Sequence, residues 1–299
     1  MCKYLIALVR TAGHGRRHEP AELHLLLAAR FGPVSPVTHF EFSHTLSGFL
    51  VGLIVGFTGV GGGSLMAPIM ILLLGVAPAT AVGTDLWFAS ITKFVGGTVH
   101  HRRGNADLRI VKWLCIGSIP FAVLTLFVLS LFHAEQVKQG LVAEALGGVL
   151  VLTAIATMFR RKLHQIGKGL RTNSAIRFKT FQIPLTIAAG AILGVLVTLT
   201  SVGAGAMCAT ILVFLYPLRL KLQQVVGTDI VHAIPLTLVA GLGHLWLGNV
   251  DSWLLLSLLT GSIPGIIIAS MLANRVNERV LQASLSAVLM VVGVRLLQT

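Results

Sequence analysis

The fold class this sequence predicts is an all-α polytopic membrane protein with two homologous repeats, and three observations predict it. Hydrophobic residues make up 55% of the chain and charged residues only 11%, with mean hydropathy +0.87, where soluble domains carry about 25% charged residues. Several stretches are long and apolar enough to cross a hydrocarbon core of about 30 Å as helices. Motifs of the first half also return, in order, in the second. The apolar runs are continuous in Leu, Val, Ile and Ala, whereas barrel strands would alternate over about ten residues, so helices are expected.

Residues 1–43 contain apolar patches interrupted by Arg10, the "GHGRRHEP" stretch at 13–20 and Arg30. They are expected to form an extramembrane or amphipathic N-terminal extension, without a small-residue cleavage site following a hydrophobic core. A first transmembrane repeat is assigned to residues 44–160. It opens with a glycine-bearing apolar segment, 44–75, long enough for one broken span or for two half-helices that enter and leave on one side. A further apolar segment begins near Pro78. Trp113 to Phe132 carries no formal charge, and Leu141 to Phe159 carries only Glu144.

A basic linker follows at 161–182. Seven of the 23 basic residues lie between Arg160 and Lys179, and the positive-inside rule places this loop in the cytoplasm. That clustering also explains the net charge of +13 through topology and lipid headgroups, so nucleic acid is not expected as a partner. Residues 183–299 form the second transmembrane repeat, with a segment starting near Leu222 and an uncharged run from Trp253 to Ala273. The three cysteines, Cys2, Cys115 and Cys208, are scattered, which suggests neither a disulfide framework nor a metal site.

The duplication is explicit. "VGTDL" at 82–86 returns as "VGTDI" at 226–230, "GNAD" at 104–107 as "GNVD" at 248–251, and "GSIP" at 117–120 as "GSIP" at 261–264, each displaced by 144. Gly48, Gly52, Gly61 and Gly63 match Gly190, Gly194, Gly203 and Gly205 at a displacement of 142. Duplicated helical units are common in transporters, where the substrate site lies at the repeat interface. Charge distribution points to inverted repeats. The segment 101–112 has four basic residues and its partner 245–252 has none, while Arg219 and Lys221 have no counterpart at 75–79. The five basic residues of the extension run against this pattern.

Glycine inside a helix costs about 1 kcal/mol relative to alanine, so clustered glycines need a reason. Gly48, Gly52 and Gly56, like Gly190, Gly194 and Thr198, form a small-residue ridge suited to helix packing. "GVGGGS" at 59–64 and "SVGAGA" at 201–206 are expected instead to break the helix. A break inside the membrane exposes backbone amides and a helix N-terminus, and an anion satisfies both. Asp85 and Asp229 each follow a Gly-Thr pair within an apolar segment, where a carboxylate is costly and marks a functional candidate. Proton coupling is one role open to them, since desolvation disfavours a charged carboxylate; helix capping or hydrogen bonding to Thr84 and Thr228 is the other. Lys93, replaced by Thr237 in the second repeat, could hold an anion or snorkel. His232 could share a face with Asp229, whereas Phe88 stands at the matching place. Asp107 and Asp251 suit helix N-caps.

These motifs, "GFTGVGGGSLMAPIMILLLGVAPATAVGTDL" with "GNADL" and the echo "SVGAGAM", "VVGTDI", "GNVD", "GSIPG", resemble the TauE/SafE family of membrane proteins, associated with export of sulfite and organosulfonates. The resemblance runs from about residue 44 to 298. It implies a secondary carrier of a small sulfur-containing anion, whose glycine-rich segments and following polar residues map onto Gly61, Gly62, Gly63, Ser64, Thr84 and Asp85, then Ser201, Gly203, Gly205, Thr228 and Asp229; the glycines, serines and threonines are the expected substrate contacts, and Asp85 and Asp229 the candidates for proton coupling. Where the first half reads "GGGS" the second reads "GAGA", so the two half-sites need not bind alike.

The expected function is thus a secondary transporter, an exporter in the bacterial inner membrane, binding a small anion between broken-helix termini. An anion channel shares every feature named. A membrane-embedded hydrolase is disfavoured, because neither a Gly-x-Ser-x-Gly elbow nor an HExxH pair is present. No cofactor, metal or catalytic residue is expected; the partners are the anion and the lipid bilayer, with homo-oligomer formation left open.

Overall fold

A computed structural model describes residues 42–58, 66–102, 104–131, 135–173, 175–272 and 278–298. Among the described residues all regular structure is helical, in eleven helices. In chain order they are α1 (Phe42–Thr58), α2 (Met66–Leu74), α3 (Pro78–Arg102), α4 (Leu108–Leu131), α5 (Glu135–Met158), α6 (Arg160–Asn173), α7 (Ala175–Thr200), α8 (Ala206–Leu215), α9 (Leu222–Trp246), α10 (Ser252–Leu272) and α11 (Glu278–Gln298). Among the described residues, five segments are long and apolar enough to span a membrane: Leu108–Leu131, Gln139–Met158, Thr180–Thr200, Gln223–Trp246 and Ser252–Ala269. The chain is a multi-pass membrane protein.

Helix pairing runs between the two halves of the sequence. α1 packs along α10 and α7 along α4, while α3 pairs with α9 and α5 with α11. The small-residue ridges explain the first two pairs. A Cβ on Gly48 would stand 2.4 Å from the Leu258 carbonyl oxygen, and one on Gly52 2.4 Å from that of Ser262. With the halves exchanged, Gly190 meets Leu114 and Gly194 meets Ser118, each at 2.3 Å. Backbone approaches this close need glycine, which is how helices attract one another where lipid offers no hydrophobic drive.

These contacts also give directions. Numbers rise together along α1 and α10, and along α4 and α7, so each pair runs parallel. Along α3 and α9 they run oppositely: Trp87 lies against Gly241, and Gly97 against Ile234 and Ile230. Gly147 faces Leu297 and Gly293 faces Val151, so α5 and α11 are antiparallel as well.

α7 and α8 make a helical hairpin. Gln182 Nε2 donates to the Leu215 carbonyl and Thr186 pairs with the Tyr216 hydroxyl at 2.7 Å, which returns the C-terminus of α8 to the start of α7. From Thr186 to Thr200 the helix rises about 21 Å, so the hairpin tip lies that far along the axis from the end where α7 and α8 meet. The second glycine segment therefore enters and leaves at one end. Glycines 61 to 63 of the first segment lie outside the described residues.

The basic segment differs from the expected linker loop. It is helical over Arg160–Asn173, with Gly167 so close to the Phe214 carbonyl that a Cβ would stand 2.3 Å from its oxygen. Its basic residues are interspersed with Leu163, Ile166 and Leu170, an amphipathic pattern suited to a membrane surface, which charge counting alone does not distinguish from a loop.

Candidate functional site

The site is built around the five residues that part α7 from α8. Ser201, at φ 57, ends α7 in a left-handed turn, and Gly203 follows at φ 115, a backbone region that side chains rarely adopt. Thr200 Oγ1 accepts from the Val202 amide at 3.1 Å, and the Gly203 carbonyl accepts from the Gly205 and Cys208 amides at 2.9 and 3.0 Å. α8 then starts at Gly205 with no side-chain cap. With the Cys208 amide already held by the Gly203 carbonyl, the Ala206 and Met207 amides and the positive end of the helix dipole are left at a buried interior. Residues 201–205 are all buried.

Three charged side chains converge there. Asp85 on α3 is fully buried and Asp229 on α9 is 4% exposed. Ser201 and the Ala67 amide, in the first turn of α2, stand beside Asp85, while Cys208, in the first turn of α8, stands beside Asp229. Neither oxygen of Asp85 and not Oδ1 of Asp229 closes a hydrogen bond among the described residues, and the Ser201 hydroxyl is likewise unpartnered. Lys93, 3% exposed, interacts electrostatically with both carboxylates and donates from Nζ to the Ala204 carbonyl in the helix break. Two carboxylates against one ammonium leave a buried excess of one negative charge when all three are ionised, an arrangement that low-dielectric surroundings make expensive.

A polar chain extends from this centre. His232 on α9 meets Cys208 Sγ at 3.9 Å through Nδ1 and Ser118 Oγ on α4 at 3.0 Å through Nε2. Ser118, Cys208 and His232 are all fully buried.

The residues singled out from the sequence fall into three groups. Asp85, Asp229, Ser201, Gly203 and Gly205 gather at the break. Gly61, Gly62, Gly63 and Ser64 lie outside the described residues. Thr84 and Thr228 instead join the halves: Thr84 Oγ1 accepts from the Asp251 amide at 3.1 Å, and Thr228 Oγ1 from the Asp107 amide at 3.0 Å. Asp107 and Asp251 cap the following helices, accepting from Ile110 at 3.3 Å and Leu254 at 2.9 Å. His244, buried at that junction, meets the Thr198 carbonyl at 2.9 Å. Lys93 does not snorkel but enters the centre. Ser118 falls in the repeated "GSIP" motif and His232 lies three residues after Asp229, but no sequence pattern joins them to each other or to Cys208, since their contacts come from three different helices.

A family model described as "Sulfite exporter TauE/SafE" matches residues 45–296. Among curated proteins, the chain is 41% identical over 257 residues to the "Probable membrane transporter protein YjnA" of Bacillus subtilis (strain 168), covering 84% of this chain and 98% of that relative. It is 28% identical over 253 residues to the "Probable membrane transporter protein YdhB" of the same organism, covering 83% and 97%. A probable membrane transporter protein of Methanocaldococcus jannaschii is 27% identical over 267 residues, covering 84% and 92%. No solved structure matches the chain.

Proposed function

The chain belongs to the sulfite exporter TauE/SafE family of membrane transporters, and from that premise we propose that it is a secondary transporter exporting a small anion, sulfite or an organosulfonate, across the bacterial inner membrane. The anion binds at the interface of two inverted repeats, between the termini of their broken helices. The single observation that carries this reading is the uncapped N-terminus of α8, buried next to Lys93. Few sites in a membrane interior offer positive potential and spare amide donors together.

Support for inversion comes from reciprocity and direction. Equivalent contacts recur with the halves exchanged, and equivalent helices α3 and α9 run antiparallel. A two-fold axis relating antiparallel spans lies across them, in the membrane plane. Under this arrangement the Asp107 loop and its partner Arg219 share the basic, cytoplasmic end with α6.

An incoming anion adds to the negative excess at the site, so transport of charge is proposed to be linked to protonation of Asp85 or Asp229. Lys93 faces both carboxylates, and Cys208 and Arg160 also act on Asp229. The test is uptake of radiolabelled sulfite and sulfoacetate into proteoliposomes under an imposed pH gradient. Saturable, gradient-stimulated flux is expected of the carrier. Flux that fails to saturate and ignores the gradient would indicate a channel instead.

A further inference from the structure

We propose that Lys93 is the cation that receives the anion, and that it makes the two half-sites unequal by drawing the ligand to the N-terminus of α8. This deepens the transport reading above and rests on it.

The argument starts from a broken symmetry. The repeats share their glycine-rich segments, their VGTD aspartates and their Gly-Asn pairs, yet Lys93 is matched by Thr237. Thr237 is fully buried and its hydroxyl donates to the Ala233 carbonyl one turn back, a local bond that supplies no charge. A lysine held at 3% exposure inside an apolar span is costly to insert, so its retention there calls for a partner.

Geometry then selects the α8 side. The Lys93 ammonium already donates to the Ala204 carbonyl, one residue before the cap position Gly205 of α8. An oxyanion accepting from the Ala206 and Met207 amides at the start of α8 is therefore within ion-pair reach of Nζ. Ser201, buried beside Asp85 and with its hydroxyl unpartnered among the described residues, lies in the same five-residue break and offers a further donor. Lys93 has three ammonium protons, so it can hold the anion without leaving Ala204. An oxyanion, which accepts several charge-assisted hydrogen bonds at once, fits this donor set better than a spherical halide.

The two carboxylates define what Lys93 does when the anion leaves. Asp85 and Asp229 both act on the ammonium, and they compensate its charge in the anion-free state. Lys93 is thereby the shared element of an exchange, in which its charge is balanced by protein carboxylates or by ligand.

The experiment measures sulfite and methanesulfonate binding to the purified full chain in detergent by calorimetry, with chloride as the comparison anion. Wild type, Lys93→Gln and Lys93→Arg are compared, together with a charge-balanced double variant, Lys93→Gln with Asp229→Asn, and its parent Asp229→Asn. Loss of one charge-assisted contact is expected to weaken sulfite binding about tenfold or more in Lys93→Gln, with Lys93→Arg retaining most of it. The double variant keeps the buried charge sum and serves if Lys93→Gln does not fold; it is expected to bind about tenfold more weakly than Asp229→Asn alone. Sulfite binding within twofold of the parent in either glutamine variant overturns the assignment of Lys93. Absence of binding to wild type by either sulfur anion overturns the transport reading itself.

Discussion

Gly83 on α3 lies directly against the backbone carbonyl of Asn249, so closely that a Cβ at position 83 would stand 2.0 Å from the oxygen. Gly227 on α9 stands in the same relation to Asn105, at 2.2 Å. Each glycine precedes the threonine whose hydroxyl accepts the neighbouring aspartate amide. The VGTD motif of one half and the Gly-Asn turn of the other thus form a docking joint, made twice.

Alanine at either glycine should open that joint. Gly83→Ala and Gly227→Ala are each expected to destabilise the protein by about 1–3 kcal/mol, the usual cost of overpacking. Gly148→Ala, with open space around the new methyl, should be neutral or stabilising, because alanine is the better helix former. Thermal unfolding followed by fluorescence-detected size exclusion separates the cases; equal midpoints for all three variants would contradict the joint.

The proposed inversion makes a labelling prediction. Leu108 begins α4, Lys221 caps the start of α9 and Trp253 lies in the first turn of α10; the three are exposed. Cysteines placed singly at 108 and 221 should react with a membrane-impermeant maleimide from the cytoplasmic face, and one at 253 from the opposite face. Reaction of 108 and 253 from the same side would exclude inverted repeats.

Ser201 separates strain from function. Its φ of 57 is a left-handed conformation that costs a residue with a side chain about 1–2 kcal/mol. Ser201→Gly should therefore leave stability unchanged or raise it by about 1 kcal/mol, while removing the hydroxyl beside Asp85. Ser201→Ala removes the hydroxyl and retains the strain. Sulfite flux reduced to a similar extent in both variants would assign the effect to the hydroxyl; reduction in Ser201→Gly alone would assign it to the backbone.

Asp85→Asn and Asp229→Asn test the coupling. Each is expected to bind sulfite yet lose stimulation by a pH gradient in proteoliposomes. Unchanged gradient dependence in both variants would remove the two aspartates from coupling and leave the carrier reading in place.

Much of this architecture is legible before any folding is considered. The break at 201–205 can be read from "SVGAGA", because local backbone energetics disfavour helix through clustered glycines. The packing role of Gly48, Gly52, Gly190 and Gly194 follows from their spacing, and the caps at Asp107 and Asp251 from turn chemistry. Thr84 and Thr228 show where such reading stops. Adjacent to the aspartates in sequence, they suit substrate contact by position, but that their hydroxyls accept from amides 167 and 121 positions away is a pairing that no local pattern encodes. The basic segment was read as a loop because charge counting is blind to helical period.

Sequence by itself determined the membrane class, the recurrence of its motifs and the positions of the helix break and buried acids, since each depends on sums or repeats along the chain. Only the tertiary structure decided that Lys93 reaches the Ala204 carbonyl within the electrostatic influence of Asp85 and Asp229, that His232 joins Ser118 to Cys208, and that α1 lies on α10 while α7 lies on α4. Those relations are set by how helices cross, and a helix surface offers several faces of nearly equal hydrophobicity in lipid. Close glycine contact and buried polar pairing choose among them, and both exist only once the partner helix is in place.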